Sequence, residues 1–196
     1  MNKFQIVYAD CPWNYNDKAN AGKRGAVHKY PCMTLADIKN LPVSTITDDN
    51  CVLFMWVTMP FLPKAEEVMN AWSFTYKTCA FTWVKKNKKS GTNFWGMGSY
   101  SRGNAELCLL GTKGKLPRLS AGVHSVIDDE LEDELLESPI REHSRKPDEA
   151  RNRIVKLYGD VPRVELFARE VAEGWISWGN EIECEDIFAK EVNNDD

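Results

Sequence analysis

A chain of 196 residues suits one domain and can bury a sizeable core without disulfides. Hydrophobic residues make up 43% and charged residues 28%, the balance of a globular protein, and no apolar run approaches the roughly 20 residues of a membrane span. The net charge of -4 excludes a generally basic nucleic-acid coat but not a local basic groove.

In chain order, Phe4 to Ala9 reads as a strand ending at Asp10. It is entered at once, with no signal-peptide h-region, so a cytoplasmic protein is expected. Thr34 to Leu41 and Phe61 to Trp72 carry helical periodicity. Between them, Cys51 to Val57 is near-continuously apolar, as a strand buried on both faces should be. Thr78 to Val84, Ala105 to Leu110, Arg163 to Ala168 and Trp175 to Trp178 read as further strands. The clearest helix is Pro147 to Tyr158. Pro147 is expected at the first helical position, Asp148 and Glu149 at the positive end of the dipole, and Gly159 as the C-terminal stop. Strands alternating with helices predict an α/β fold with a mostly parallel central sheet.

The charge is uneven. From Val84 to Arg118 there are eight basic residues and one acidic, Glu106, with Phe94, Trp95 and Tyr100 interleaved. Such a segment suits a nucleic-acid strand, and a solvated loop is the plainer alternative. Asp128 to Glu137 holds seven acidic residues and no basic one, and reads as a solvated, inserted loop. The six cysteines show no C-x-x-C spacing, so they read as reduced small hydrophobes and no metal site is expected.

Three segments carry chemistry. Asp10-Cys11-Pro12-Trp13 directly follows a strand, where α/β sheets bind ligands. The Asp10 carboxylate and the Cys11 carbonyl are two acceptors, and Trp13 offers a stacking face, which together suit the exocyclic amine of a nucleobase. The alternative is a strand-to-loop turn whose Trp belongs to the core. Lys146, in His143-Ser144-Arg145-Lys146-Pro147-Asp148-Glu149, precedes the capped helix and suits an anion. Glu165-Leu166-Phe167-Ala168-Arg169, followed by Trp175 to Trp178 and Gly179-Asn180-Glu181, could hold a ribose and an adenine.

In this order the segments resemble the MT-A70-like family of adenine-N6 methyltransferases. The family pattern runs D-P-P-W, W-V-T, a Gly-rich segment leading to E-x-x-L-x-G, S-x-K-P-D-E, E-L-F-x-R and W-x-x-x-G-N. Here it reads Asp10-Cys11-Pro12-Trp13, Trp56-Val57-Thr58, Gly96-Met97-Gly98 leading to Glu106 through Gly111 and Gly114, Ser144 to Glu149, Glu165 to Arg169, and Trp175 with Gly179-Asn180. The resemblance spans roughly Phe4 to Glu181.

It implies a Rossmann-like class I methyltransferase domain over residues 1–196 using S-adenosylmethionine. Its motif order is permuted, and it carries a basic Gly/aromatic loop at about 85–104 and an acidic insertion at about 125–140. Asp10 and the Cys11 carbonyl would accept from the target amine, Pro12 would stiffen the loop, and Trp13 would stack on the adenine. Lys146 would reach the cofactor's methionine carboxylate. Glu165, Phe167, Arg169, Asn180 and Glu181 would surround its ribose and adenine. Tyr30, Lys85, Lys86, Arg102 and Glu106 are expected on the substrate side. Cys11 stands where the family has its first proline, a change that keeps the carbonyl but not the ring.

The expected substrate is DNA, because the chain shows none of the appended RNA-binding regions of eukaryotic relatives. RNA is the alternative substrate, and a silent nucleic-acid-binding subunit is the alternative of another class. Retention of Asp10, Pro12 and Trp13 favours an enzyme. The sequence leaves open a protein partner or a homodimer.

Overall fold

The computed structural model describes residues 3–14, 32–87, 90–96, 100–128 and 145–189. Its strands are β1 (Phe4–Ala9), β2 (Thr47–Val57), β3 (Thr75–Val84), β4 (Glu106–Lys113), β5 (Val126–Asp128), β6 (Arg163–Leu166) and β7 (Ile176–Trp178). Its α-helices are α1 (Leu35–Asn40), α2 (Val43–Ile46), α3 (Leu62–Ala71) and α4 (Asp148–Tyr158), with a 3-10 turn at Met59–Phe61. The strands form one sheet in the order β5-β3-β4-β2-β1-β6-β7. Pairings β1–β2, β1–β6, β6–β7 and β3–β5 are parallel, while β4 runs antiparallel to both β2 and β3. The mostly parallel α/β fold expected from the sequence is therefore present.

The two faces of the sheet make two cores. On β2, Cys51, Leu53, Met55 and Val57 meet Ile38, Val43, Val68, Met69 and Trp72 from α1, α2 and the α3 end. Val52, Phe54 and Trp56, on the opposite face, meet Ala150 and Ile154 of α4. A strand covered on both sides has no polar face to show, which is why its sequence is an unbroken apolar run. Trp72 further locks α3 onto α1, its indole N–H donating to the Ile38 carbonyl at 2.9 Å. In β1 a register irregularity falls between Phe4 and Ile6, where two successive amides, of Gln5 and Ile6, share the Pro162 carbonyl. This bulge lets Phe4 and Val7, an odd number of residues apart, face the same core.

Three elements differ from the sequence reading. Pro147 is the N-cap of α4 with extended backbone (φ -64, ψ 133), and the helix starts at Asp148. The one-turn α2 and the three-residue β5 lie outside the predicted elements; both are too short to show a period. β5 is a sheet edge, and Arg153 of α4 covers it by donating to the His124 and Val126 carbonyls at 2.8 and 2.6 Å. The acidic segment beyond Asp128 lies outside the described residues. Among the described residues no helix is long and apolar enough to cross a membrane.

One buried ion pair fastens α4 to the sheet. Arg151 donates from Nε and Nη2 to the two Glu165 oxygens, at 2.7 and 3.0 Å, and from Nη1 to Asp148 and Glu170. Burial pushes the Glu165 carboxyl up and Arg151 pulls it back only in part. Arg151→Ala should therefore cost about 3 kcal/mol or more in urea unfolding, by stranding a buried carboxylate. Because Glu165 sits above its ordinary value, that penalty should be full at neutral pH and shrink as acid protonates it. Arg151→Ala with Glu165→Leu should recover most of the loss.

Candidate active site

β1 is flanked by β2 on one side and β6 on the other. The chain leaves β1 toward the β2 side and leaves β6 toward β7, so a crevice opens beyond their carboxyl ends. Asp10 is the first residue past β1. β4, being antiparallel, begins at the same edge with Glu106, paired with Trp83 near the end of β3. Lys85 follows β3 there, and Lys146 arrives just ahead of α4.

These four residues form one charge cluster. Lys146 Nζ lies 2.6 Å from Asp10 Oδ2 and 3.3 Å from Glu106 Oε2, and Lys85 Nζ lies 2.5 Å from Glu106 Oε1. Trp56 is the floor beneath it, with the Lys146 ammonium 5.8 Å from the ring centroid. The Trp56 indole N–H donates to the Tyr8 hydroxyl at 2.6 Å and its carbonyl accepts from the Trp13 indole at 3.2 Å.

The cluster sets its own protonation. Burial pushes Lys146 down, but Asp10 and Glu106 outweigh it, so Lys146 stands above its ordinary value and is held cationic. For Glu106, burial is outweighed by Lys146 and Lys85, and its carboxyl falls below the usual range. For Asp10, burial wins over Lys146, with Glu106 adding repulsion, so its carboxyl is raised. Burial also pushes the Cys11 thiol far up. Cys11 therefore presents a neutral thiol to the core, and its carbonyl, which accepts the Trp13 amide at 2.8 Å, keeps a second lone pair for a ligand.

Beside the cluster is an open pocket lined by Pro12, Met33, Phe167, Trp178, Gly179 and Asn180. Met33 closes over the loop after β1, its amide donating to the Pro12 carbonyl at 3.0 Å. Phe167, at the end of β6, has φ 62, a left-handed conformation costly for an aromatic residue and typical of ligand-shaping turns. Its ring packs edge-on against Trp178, 5.7 Å between centroids. Arg169 Nε and Glu181 Oε1, on the loops after β6 and β7, are 3.5 Å apart. Apart from Gly179 and the Asn180 amide the lining is apolar, which suits a flat heterocyclic ring.

The structure thus brings together Asp10, Cys11, Lys85, Glu106 and Lys146, and separately Pro12, Phe167, Asn180, Arg169 and Glu181. Three of the expected residues have other partners in the structure. Trp13 is only 5% exposed and stacks on Phe61 at 5.2 Å, so it is a core wall, as the strand-to-loop alternative has it, rather than a free platform. Glu165 is bound to Arg151 and is not among the residues lining the pocket. Lys85 is turned into the charge cluster rather than out toward a substrate strand. Lys86 bridges to Asn93, and Arg102 is exposed on the same long connection between β3 and β4. Tyr30 and Ser144 lie outside the described residues.

Sequence reasoning missed Arg151, Asn104 and Met33. Gly179, read from the sequence as part of the Gly179-Asn180-Glu181 segment, directly follows a short strand. A Cβ there would stand 2.2 Å from the Ala168 carbonyl oxygen and 2.8 Å from its nitrogen. Gly179→Ala should push apart the loops after β6 and β7, costing about 1–3 kcal/mol. It should also remove hydrogen-exchange protection from the Ala168 amide, which donates to the Trp178 carbonyl at 2.9 Å.

Residues 4–181 match the MT-A70 family. The chain is 33% identical to the type II methyltransferase M.MunI of a Mycoplasma species, over 92% of this chain and 78% of that protein. It is 27% identical to the N(6)-adenosine-methyltransferase catalytic subunit METTL3 of Homo sapiens, over 93% of this chain but 29% of that protein. An MT-A70-like N(6)-adenosine-methyltransferase of Arabidopsis thaliana is also 27% identical, over 93% of this chain and 24% of its own length. A seven-stranded sheet with its charge cluster and pocket on one edge, and a match running from β1 to beyond β7, place the chain in the MT-A70 family of S-adenosylmethionine-dependent methyltransferases.

Proposed function

We propose that this chain transfers a methyl group from S-adenosylmethionine to the N6 amine of adenine in DNA. The observation that carries the reading is the buried Asp10–Lys146–Glu106 cluster beside a base-sized pocket at the switch point of the sheet. When bound, the cofactor supplies an activated methyl group. The protein's task is alignment, which contributes ~7–11 kcal/mol in favourable cases.

Asp10 and the Cys11 carbonyl accept the two N–H bonds of the target amine, drawing its lone pair out of conjugation with the ring. The amine proton turns acidic only once the methyl has arrived, so Asp10 orients and need not act as a strong base. Lys146 holds the cofactor's carboxylate. The slot of Pro12, Met33, Phe167 and Trp178 takes its adenine, with Asn180, Arg169 and Glu181 at the ribose. Trp13 acts indirectly, by fixing the Asp10 loop against Phe61 and Trp56.

The connection between β3 and β4 supports a nucleic-acid substrate. Phe94 and Trp95 are 43% and 54% exposed, Tyr100 is fully exposed, and Lys86 and Arg102 flank them. Exposed aromatics among cations suit extruded or single-stranded bases. The higher identity to the type II methyltransferase favours DNA. The similarity to METTL3 favours RNA as the second reading. Incubating the protein with S-adenosylmethionine and duplex DNA, single-stranded DNA or RNA, then measuring N6-methyladenine by mass spectrometry, separates the readings. The expected outcome is product in a DNA pool, and product confined to RNA would overturn the substrate.

Asp10→Asn should lower kcat about 100-fold or more while cofactor affinity, measured by calorimetry, changes only a few-fold. Lys146→Ala should weaken cofactor binding about tenfold or more. The ionised Asp10 accepts from the amine more strongly than the neutral acid does. Because its carboxyl is raised, activity should fall on acidification at a pH above the ordinary aspartate range, and stay full above it. A kcat/KM profile flat down to the ordinary range would count against that role.

A further inference from the structure

Lys85 has the composition context of a phosphate-binding lysine and the geometry of something else. Asn104 grips its backbone from both sides, accepting from the Lys85 amide at 2.6 Å and donating to its carbonyl at 2.9 Å. The Phe94 amide donates to the same carbonyl at 2.9 Å. The side chain then runs along Trp83, Nζ 4.8 Å from the ring centroid, and ends on Glu106. A lysine meant to search for phosphates keeps its rotamers; this one has been fixed at both ends.

The fixing has an electrostatic purpose. Glu106 offers one oxygen to Lys85 and the other to Lys146, whose shorter contact is to Asp10. With Lys85 in place, two cations and two carboxylates balance. Without it, Glu106 would have Lys146 as its only partner in the cluster, would draw that ammonium from Asp10, and would repel Asp10 across a site of low effective dielectric. The other charged or titratable groups acting on Asp10 are Arg169 and Glu165 from the β6 side, and Cys108 from β4 and Cys11 from its own loop sense the pair. None of these faces Glu106 as Lys85 does.

We propose that Lys85 is a positioning residue of the methyl-transfer site. By neutralising Glu106 it holds Lys146 and Asp10 in their working arrangement, and it is not a nucleic-acid contact. The inference rests on the proposed methyltransferase activity for its kinetic consequence, but its electrostatic core can be read without turnover.

The test is a carbon-13 carboxyl NMR titration of the Asp10–Glu106 pair in the cofactor-free protein, for the wild type, Lys85→Met and Lys85→Arg. It is run beside transfer kinetics and the salt dependence of DNA binding. Lys85→Met should raise the apparent midpoints of the pair by about one unit. It should lower kcat roughly tenfold or more, move the acid limb of the pH profile upward, and leave the nucleic-acid KM and the salt slope unchanged. Lys85→Arg should restore all of these, since it keeps the charge. Lys86→Met, by contrast, should reduce the salt slope by about one.

An unshifted titration in Lys85→Met would overturn the proposal, as would a reduced salt slope with the titration unchanged. If Lys85→Met does not fold, the cycle is completed on Glu106→Gln. There Lys85→Gln should shift Asp10 no further, and an undiminished shift would again overturn it. A titration shift in a wild-type background that makes no methyladenine would sink the proposed activity and leave the electrostatic linkage standing.

Discussion

Everything at the site depends on one buried ammonium. Lys146 is about nine-tenths covered, lies above an indole ring, and has carboxylates from the loop after β1 and the start of β4 at 2.6 and 3.3 Å. A lone lysine so placed would give up its proton; two acidic neighbours keep it charged. The positions of β1, β4 and the α4 entry are thereby tied together by charge as well as by the sheet. In the same arrangement burial raises the Asp10 carboxyl above its ordinary range, against the pull of Lys146.

The scaffold explains how this charge is tolerated. Beneath the cluster lie Trp56, Tyr8 and Trp83, all buried aromatics, and their hydrogen bonds leave neither the Trp56 indole nor the Tyr8 hydroxyl unpaired. Burial sharpens the electrostatics, and the strands on either side prevent the side chains from collapsing onto one another. The second ion network, Arg151 with Glu165, Asp148 and Glu170, sits one layer away and holds the helix that delivers Lys146. The Asp10–Lys146–Glu106 cluster and the Arg151 network therefore meet near a single helix N-terminus.

Much of this was legible in the chain. β1 and β2 announce themselves because they are buried on both faces, and the Asp10 loop because a strand ending in a carboxylate, a proline and an aromatic is unusual. What escaped is what depends on distance in space rather than in sequence. Lys85 and Glu106 are separated by the whole β3–β4 connection, and a basic run among aromatics reads as a nucleic-acid surface until the fold turns one member inward. Glu165 reads as a ligand because it opens a motif, and only α4 shows that Arg151 claims it. Trp13 has the chemistry of a stacking platform, and only Phe61, reached through β2 and the turn after it, covers its face. β5 is three residues long, with Val126 half-exposed, and carries no pattern to read.

The covered edge at β5 has a consequence for how this molecule behaves at high concentration. An open sheet ends in a row of carbonyls and amides that can recruit another strand, and a strand as short as β5 presents few of them. Arg153 reaches across from α4 and occupies the His124 and Val126 carbonyls, on the side away from β3. The guanidinium both saturates the acceptors and places a positive charge where an incoming backbone would have to lie. Among the described residues, strand addition on that side of the sheet is thus opposed by a single side chain.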